Sequence, residues 1–118
     1  MELKKVTAII DTDVLEKVEN SLQKIGVTGI SVTYVKGFGQ YANFFKSPPL
    51  VSHARIEIFA DEYTVHSIVD AIMQTAHTGL PGDGIIAVLP VERLYRISEM
   101  KEITTSELSN IITRKNHD

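Results

Sequence analysis

Residues 53–89 read HARIEIFADEYTVHSIVDAIMQTAHTGLPGDGIIAVL, and this stretch decides the fold. Its first part alternates, with Ala54, Ile56 and Ile58 on one side and Arg55 and Glu57 on the other. That period predicts a half-buried strand over His53–Ala60. Asp61 stands where a helix needs an N-cap. Val65, Ile68, Val69, Ile72, Met73 and Ala76 then recur at helical spacing and form one buried face. Gly79 ends that helix. Gly84 to Leu89 is apolar throughout, which predicts a strand buried on both faces and therefore central in its sheet.

The same logic extends toward the N-terminus. Leu3 to Ile10 reads as a strand. Asp11-Thr12-Asp13 supplies an N-cap, Asp13 and Glu16 have capping-box spacing, and Val14, Val18, Leu22 and Ile25 form one stripe, so a helix is expected over Asp13–Ile25. Gly26 suits the left-handed residue after it. Ile30, Val32, Thr33, Tyr34 and Val35 make a strand within Gly29–Phe38. Gln40 to Ser52 has no period, carries Asn43, Ser47, Pro48 and Pro49, and reads as a loop. The order is β-α-β-β-α-β, an α+β, ferredoxin-like unit with a four-stranded antiparallel sheet. Both helices cover one face, and self-association is the simplest cover for the other. The assigned domain is 1–98. The extension 99–118 is expected to be partly helical or flexible. Leu94, Tyr95 and Ile97 suggest a short edge strand. Thr104 and Glu107 have capping-box spacing ahead of Leu108, Ile111 and Ile112, which can dock on the body, and Arg114 to Asp118 is expected to fray.

Composition narrows the function. The chain has 118 residues, which suits one domain. Its net charge of −3 argues against a nucleic-acid binder. It has no Cys, so disulfides, thiolate metal sites and cysteine nucleophiles are excluded. No apolar run reaches the ~18 residues of a membrane span. The start, Met-Glu-Leu-Lys-Lys-Val, lacks the apolar stretch of a signal peptide. A cytoplasmic protein without membrane insertion is expected.

Two glycine-rich segments stand out. Thr78-Gly79-Leu80-Pro81-Gly82-Asp83-Gly84 follows a helix directly. It reads either as a helix C-cap with a turn or as a backbone cradle whose N–H groups converge on a ligand. It is neither a Walker A loop nor a dinucleotide fingerprint. Lys36-Gly37-Phe38-Gly39 ends the second strand. The histidines at 53, 66, 77 and 117 share no i+3 or i+4 spacing, so no helical metal face is expected. No catalytic set is visible, and Asp61-Glu62 is accounted for by capping. Tyr41, Phe44, Phe45 and Lys46 lie on the loop after the second strand. Exposed aromatics there suggest a partner surface; folding back on the body is the other reading.

Lys36-Gly37-Phe38-Gly39, followed by Thr78-Gly79-x-x-Gly82-Asp83-Gly84, resembles the P-II nitrogen-regulatory family. Ala8-Ile9-Ile10, Ile25-Gly26-Val27-Thr28-Gly29, Val32-Thr33, Arg55-Ile56-Glu57-Ile58, Val91 and Arg96-Ile97 support the likeness. The resemblance implies a homotrimer with adenine-nucleotide clefts between subunits. It implies a loop after the KGFG-like motif, the T-loop, that docks on a membrane transporter or metabolic enzyme. By position, Ser31, Gly37, Phe38 and Gly39 line one wall of a cleft. Thr78, Gly79, Gly82, Asp83 and Gly84 line the other, and Arg96 matches a phosphate-binding arginine.

The departures from the family pattern are mostly lost cations. Leu80 and Ile85 stand where lysines are expected, Ser98 replaces a second arginine, and Gln40 replaces another. Tyr41 replaces the glutamine that helps bind magnesium and 2-oxoglutarate, and His53 replaces a basic residue. The loop is also shorter and lacks the Tyr-Arg-Gly segment that is uridylylated in some members. Each missing cation removes a contact worth roughly 1.5–3 kcal/mol. The expectation is a sensor preferring ADP or AMP to ATP, without a magnesium–2-oxoglutarate site. Bicarbonate is an alternative ligand, since a small anion can use His53 and backbone N–H groups, and divergent relatives are linked to inorganic carbon uptake. A hydrolase would have only Asp83 near the phosphates. A structural trimer with a vestigial cleft is the remaining alternative.

Overall fold

The structure is a computed structural model and describes residues 2–36 and 53–108. Strand β1 (Leu3–Asp11) lies between β3 (His53–Asp61) and β4 (Gly84–Val91), and β2 (Ser31–Val35) flanks β3. All pairings are antiparallel, in the order β2-β3-β1-β4. Helix α1 (Leu15–Lys24) follows β1, and α2 (Glu62–Ala76) follows β3. This is the expected split β-α-β unit, with both helices against one sheet face.

Register explains the core. Val6, Ala8 and Ile10 pair with Ile58, Ile56 and Ala54, so one row of apolar side chains crosses both strands. All six are 2% exposed or less. Leu15, Val18 and Leu22 of α1, with Ile68, Ile72 and Ala76 of α2, close over them. The opposite face carries Lys5, Thr7 and Ile9 beside Arg55, Glu57 and Phe59, with Ile85, Ala87 and Leu89 on β4. Among the described residues, α1 and α2 both lie against the other face.

Four expectations change. First, within the expected Asp11-Thr12-Asp13 cap it is Asp11 that acts, and it caps a 3-10 turn ahead of α1. Asp11 ends β1 in extended geometry and accepts from the Asp13 N–H at 2.8 Å. A 3-10 turn over Thr12–Val14 follows, so α1 starts at Leu15. Second, Met73 is exposed, because α2 packs on β1 and β3 and leaves its β4 side uncovered. Third, β4 is an edge strand of the chain's own sheet, and Ile85, Val88 and Leu89 are exposed. Its apolar run therefore does not report burial within one chain. Fourth, Tyr95 does not extend the main sheet. β5 (Tyr95–Arg96) pairs with β6 (Lys101–Glu102) as a separate hairpin. The chain then docks through Ile103 and Leu108, both buried, and Thr104 Oγ1 caps the next turn by accepting from the Glu107 N–H at 3.3 Å. Gln40–Ser52, Ile111, Ile112 and 114–118 lie outside the described residues.

Asp61 is the cap the sequence indicates. It is 1% exposed and accepts from the N–H groups of Tyr63 at 2.8 Å and Thr64 at 3.1 Å. Asp61→Ala should lower unfolding free energy by about 1–2 kcal/mol in urea titrations, while Asp61→Asn should retain most of it. Equal losses for both would show that the capping geometry is not what matters.

Candidate functional site

The loop after α2 is organised by one carboxylate. Asp83 accepts from the Thr78 N–H at 2.7 Å, from the Gly79 N–H at 2.8 Å and from the Thr78 hydroxyl. The same hydroxyl oxygen accepts from the Leu80 N–H at 3.3 Å. His77 Nδ1 lies 3.8 Å from Asp83 Oδ2. Burial pushes the Asp83 carboxyl up. The hydrogen bonds from Thr78 and Gly79, with the nearby His77, outweigh this and hold it below its ordinary range. Two glycines make the path possible, with φ of 90° at Gly79 and 116° at Gly84.

This loop meets the sheet at the start of β3. His53 is 1% exposed, and its Nε2 lies 3.4 Å from the Gly82 carbonyl oxygen. His53 thus joins the residues that follow the 37–52 segment to the glycine loop. A cavity of about 370 Å³ opens beside them, lined by Ile10, Ile72, Met73, His77, Asp83 and Gly84.

A second cavity, of about 570 Å³, lies at the other end of β2 and β3. Ser31, Glu57, Phe59, Tyr95, Arg96 and Ser98 are among its lining residues. Lys5 Nζ contacts Glu57 Oε2 at 2.9 Å. That hydrogen bond lowers the Glu57 carboxyl, against the upward push of burial. Arg96 Nη1 donates to Glu99 Oε1 at 3.5 Å.

The expected site residues therefore fall into two groups. Thr78, Gly79, Gly82, Asp83 and Gly84 form one, while Ser31 and Arg96 share the other cavity. Ser31 stands at the opposite end of β2 from Lys36. Gly37, Phe38 and Gly39, and Tyr41, Phe44, Phe45 and Lys46, lie outside the described residues. Sequence reasoning missed Glu99 as the partner of Arg96, although the i, i+3 spacing was visible. Asp83 lines the first cavity, and both its carboxylate oxygens are at the same time engaged inside the loop. No group of three or more His, Asp or Glu able to hold a metal occurs among the described residues. None of their helices is long and apolar enough to cross a membrane.

The family described as "Nitrogen regulatory protein P-II" matches residues 3–101 of this chain. The chain belongs to the P-II family. "Nitrogen regulatory protein P-II" of Azospirillum brasilense is 37% identical over 102 residues, covering 80% of this chain and 91% of the relative. "Nitrogen regulatory protein P-II 1" of Escherichia coli K12 is 37% identical over 107 residues, covering 85% and 96%. The crystal structure of Arabidopsis thaliana PII bound to citrate superposes with a TM-score of 0.72 at 31% identity, covering 86% of each chain. This P-II protein is accordingly a signal-transduction regulator of the ferredoxin-like α+β fold.

The departures from the P-II pattern now have surroundings. Leu80 is 68% exposed and Ile85 44% exposed, so both project apolar groups where the pattern places lysines. Ser98 lies in the Arg96 cavity, where a second arginine would have doubled the positive charge.

Proposed function

We propose that this P-II protein is a homotrimeric sensor of an adenine nucleotide, with ADP or AMP preferred over ATP. It controls a membrane transporter or metabolic enzyme through the segment carrying Tyr41, Phe44, Phe45 and Lys46. The carrying observation is the separation of the two residue groups. The Asp83-clamped loop and the Arg96 cavity open on different parts of one chain. One small ligand can use both only where a second copy brings its Arg96 cavity to the first copy's loop.

The uncovered sheet face supports the assembly. Phe59, Ile85 and Leu89 are exposed on it. Arg55 Nε is buried there, 3.9 Å from Glu57 Oε1 and without a hydrogen bond among the described residues, so an acceptor on a facing copy would satisfy it. Three faces packed about an axis cover the apolar groups and supply acceptors.

Charge supports the nucleotide preference. Among the described residues lining the second cavity, Arg96 is the one cation. One guanidinium and a few backbone N–H groups suit one or two phosphates better than three. The nucleotide reading is preferred to bicarbonate because His53 already faces the Gly82 carbonyl. Isothermal titration with AMP, ADP and ATP is the test. ADP or AMP should bind at least as tightly as ATP, with no gain from magnesium plus 2-oxoglutarate. ATP binding more than tenfold tighter than ADP would overturn the preference.

A further inference from the structure

The C-terminal hairpin carries an alternating chain of charges. Arg96 Nη1 meets Glu99 Oε1 at 3.5 Å, and the other oxygen of Glu99 lies 3.9 Å from Lys101 Nζ. Lys101 Nζ is also 4.0 Å from Glu107 Oε1. Glu99 thus stands between two cations and touches each with a different oxygen. Its side chain is 43% exposed, Arg96 33% and Lys101 56%.

The fold of the hairpin does not need the Arg96–Glu99 pair. Tyr95 pairs with Glu102 and Arg96 with Lys101 through the backbone. Met100 adopts the left-handed conformation at φ 52°, and its N–H donates to the Ile97 carbonyl at 3.1 Å. The Ile103 N–H donates to the Leu94 carbonyl at 2.7 Å and closes the base. The turn is therefore closed by main-chain bonds that do not involve this side-chain pair.

We propose that Glu99 is a built-in competitor for the anionic group of the ligand. It occupies Arg96 in the empty site and passes to Lys101 when an anion arrives. This rests on the reading of Arg96 as the ligand's anion contact. The consequence is a weakened demand for charge on the ligand. An incoming phosphate must displace a carboxylate before it reaches Arg96, the single cation among the described residues that line the cavity. Lys101 limits that penalty because the displaced carboxylate already lies within reach of it. Glu57 does not play this role, since its carboxylate is held by Lys5. Affinity for an anionic ligand is thereby set by residues that need not touch it.

Titration calorimetry with ADP and with uncharged adenosine tests this on the full chain. Glu99→Gln should tighten ADP binding about two- to fivefold, the range a partly exposed ion pair supplies, and leave adenosine unchanged. Glu99→Ala should match it, which removes any dependence on the amide. Lys101→Met should weaken ADP by a similar factor in the native background and have no effect in the Glu99→Gln background. An unchanged or weaker ADP affinity in both Glu99 variants overturns the competition. So does equal tightening of adenosine. Persistence of the Lys101 effect without Glu99 overturns the hand-over, because it shows a direct pull on the ligand. Arg96→Ala separates the two readings. If it leaves ADP binding intact, Arg96 is not the anion contact and the competitor role falls with it. If it weakens ADP tenfold or more while the Glu99 variants change nothing, only the competitor role is lost.

Discussion

Gly84→Ala should cost about 4 kcal/mol or more of folding free energy and lower the melting temperature by over about 10 °C. A Cβ at this position would lie 1.8 Å from the carbonyl oxygen of Ile9, 2.9 Å from its carbon and 3.2 Å from Ile10 Cα. All three are backbone atoms of β1, which is pinned between β3 and β4. No side chain can swing away to make room. The φ of 116° adds strain that any L side chain would meet. Either β4 moves off β1 at its first residue or the loop ahead of it unwinds. Both outcomes also dismantle the carboxylate clamp at Asp83. Gly29→Ala is the control, since nothing lies within 4 Å of its added carbon and it should change stability by less than about 0.5 kcal/mol. Thermal denaturation of the two variants decides the matter. A Gly84→Ala protein melting with the native one would mean that β4 does not approach β1 this closely.

This glycine shows why some of the site was legible in sequence and some was not. Its position was singled out because it closes a run of three glycines ahead of a strand. The letters offer two reasons for it, a turn after a helix or a cradle for a ligand, and the close approach is to the chain's own β1. The alternation in β1 and β3 was equally readable, since period two survives in the letters of Val6, Ala8 and Ile10. The apolar run of β4 was misread as central. Uniform hydrophobicity reports that a strand is covered, and it cannot say whether the same chain provides the cover. Met73 failed for a related reason: helical spacing gives a stripe, but which edge of the stripe faces the sheet depends on where the helix lies. The Asp11-Thr12-Asp13 cap was legible, but the letters do not show that β1 runs on to Asp11 and leaves that residue, not Asp13, in the extended geometry a cap needs. The split of Ser31 and Arg96 from the glycine loop was invisible, because strand pairing separates the ends of β2 in space. The contact between Arg96 and Glu99 has a visible i, i+3 spacing, but it forms because Ile97–Glu99 makes a single 3-10 turn, which the letters do not announce.

Asp83→Asn should loosen the 78–84 loop and weaken ADP binding at least tenfold. The carboxylate accepts from two backbone N–H groups and one hydroxyl, and both oxygens are used. An amide keeps one acceptor and turns an NH₂ group toward donors that need an oxygen. Charged acceptors strengthen such bonds, so the substitution should cost about 1–3 kcal/mol, reduced by water that reaches the exposed Thr78 and Gly79. Hydrogen exchange at the Thr78 and Gly79 amides should accelerate in the ligand-free variant. That readout separates positioning from contact. A residue that only touched the ligand would leave those amides as protected as before, and unchanged exchange would therefore sink the clamp. Acid should act in the same direction on the native protein. The Asp83 carboxyl lies below its ordinary range in the fold, so its contribution is complete above the unfolded value of about 3.9. It is lost as pH falls through the lower folded value. Amide protection in the loop should thus hold from neutral pH to about 5 and decline only in stronger acid, while the Asn variant, with no proton to take up there, lacks that step.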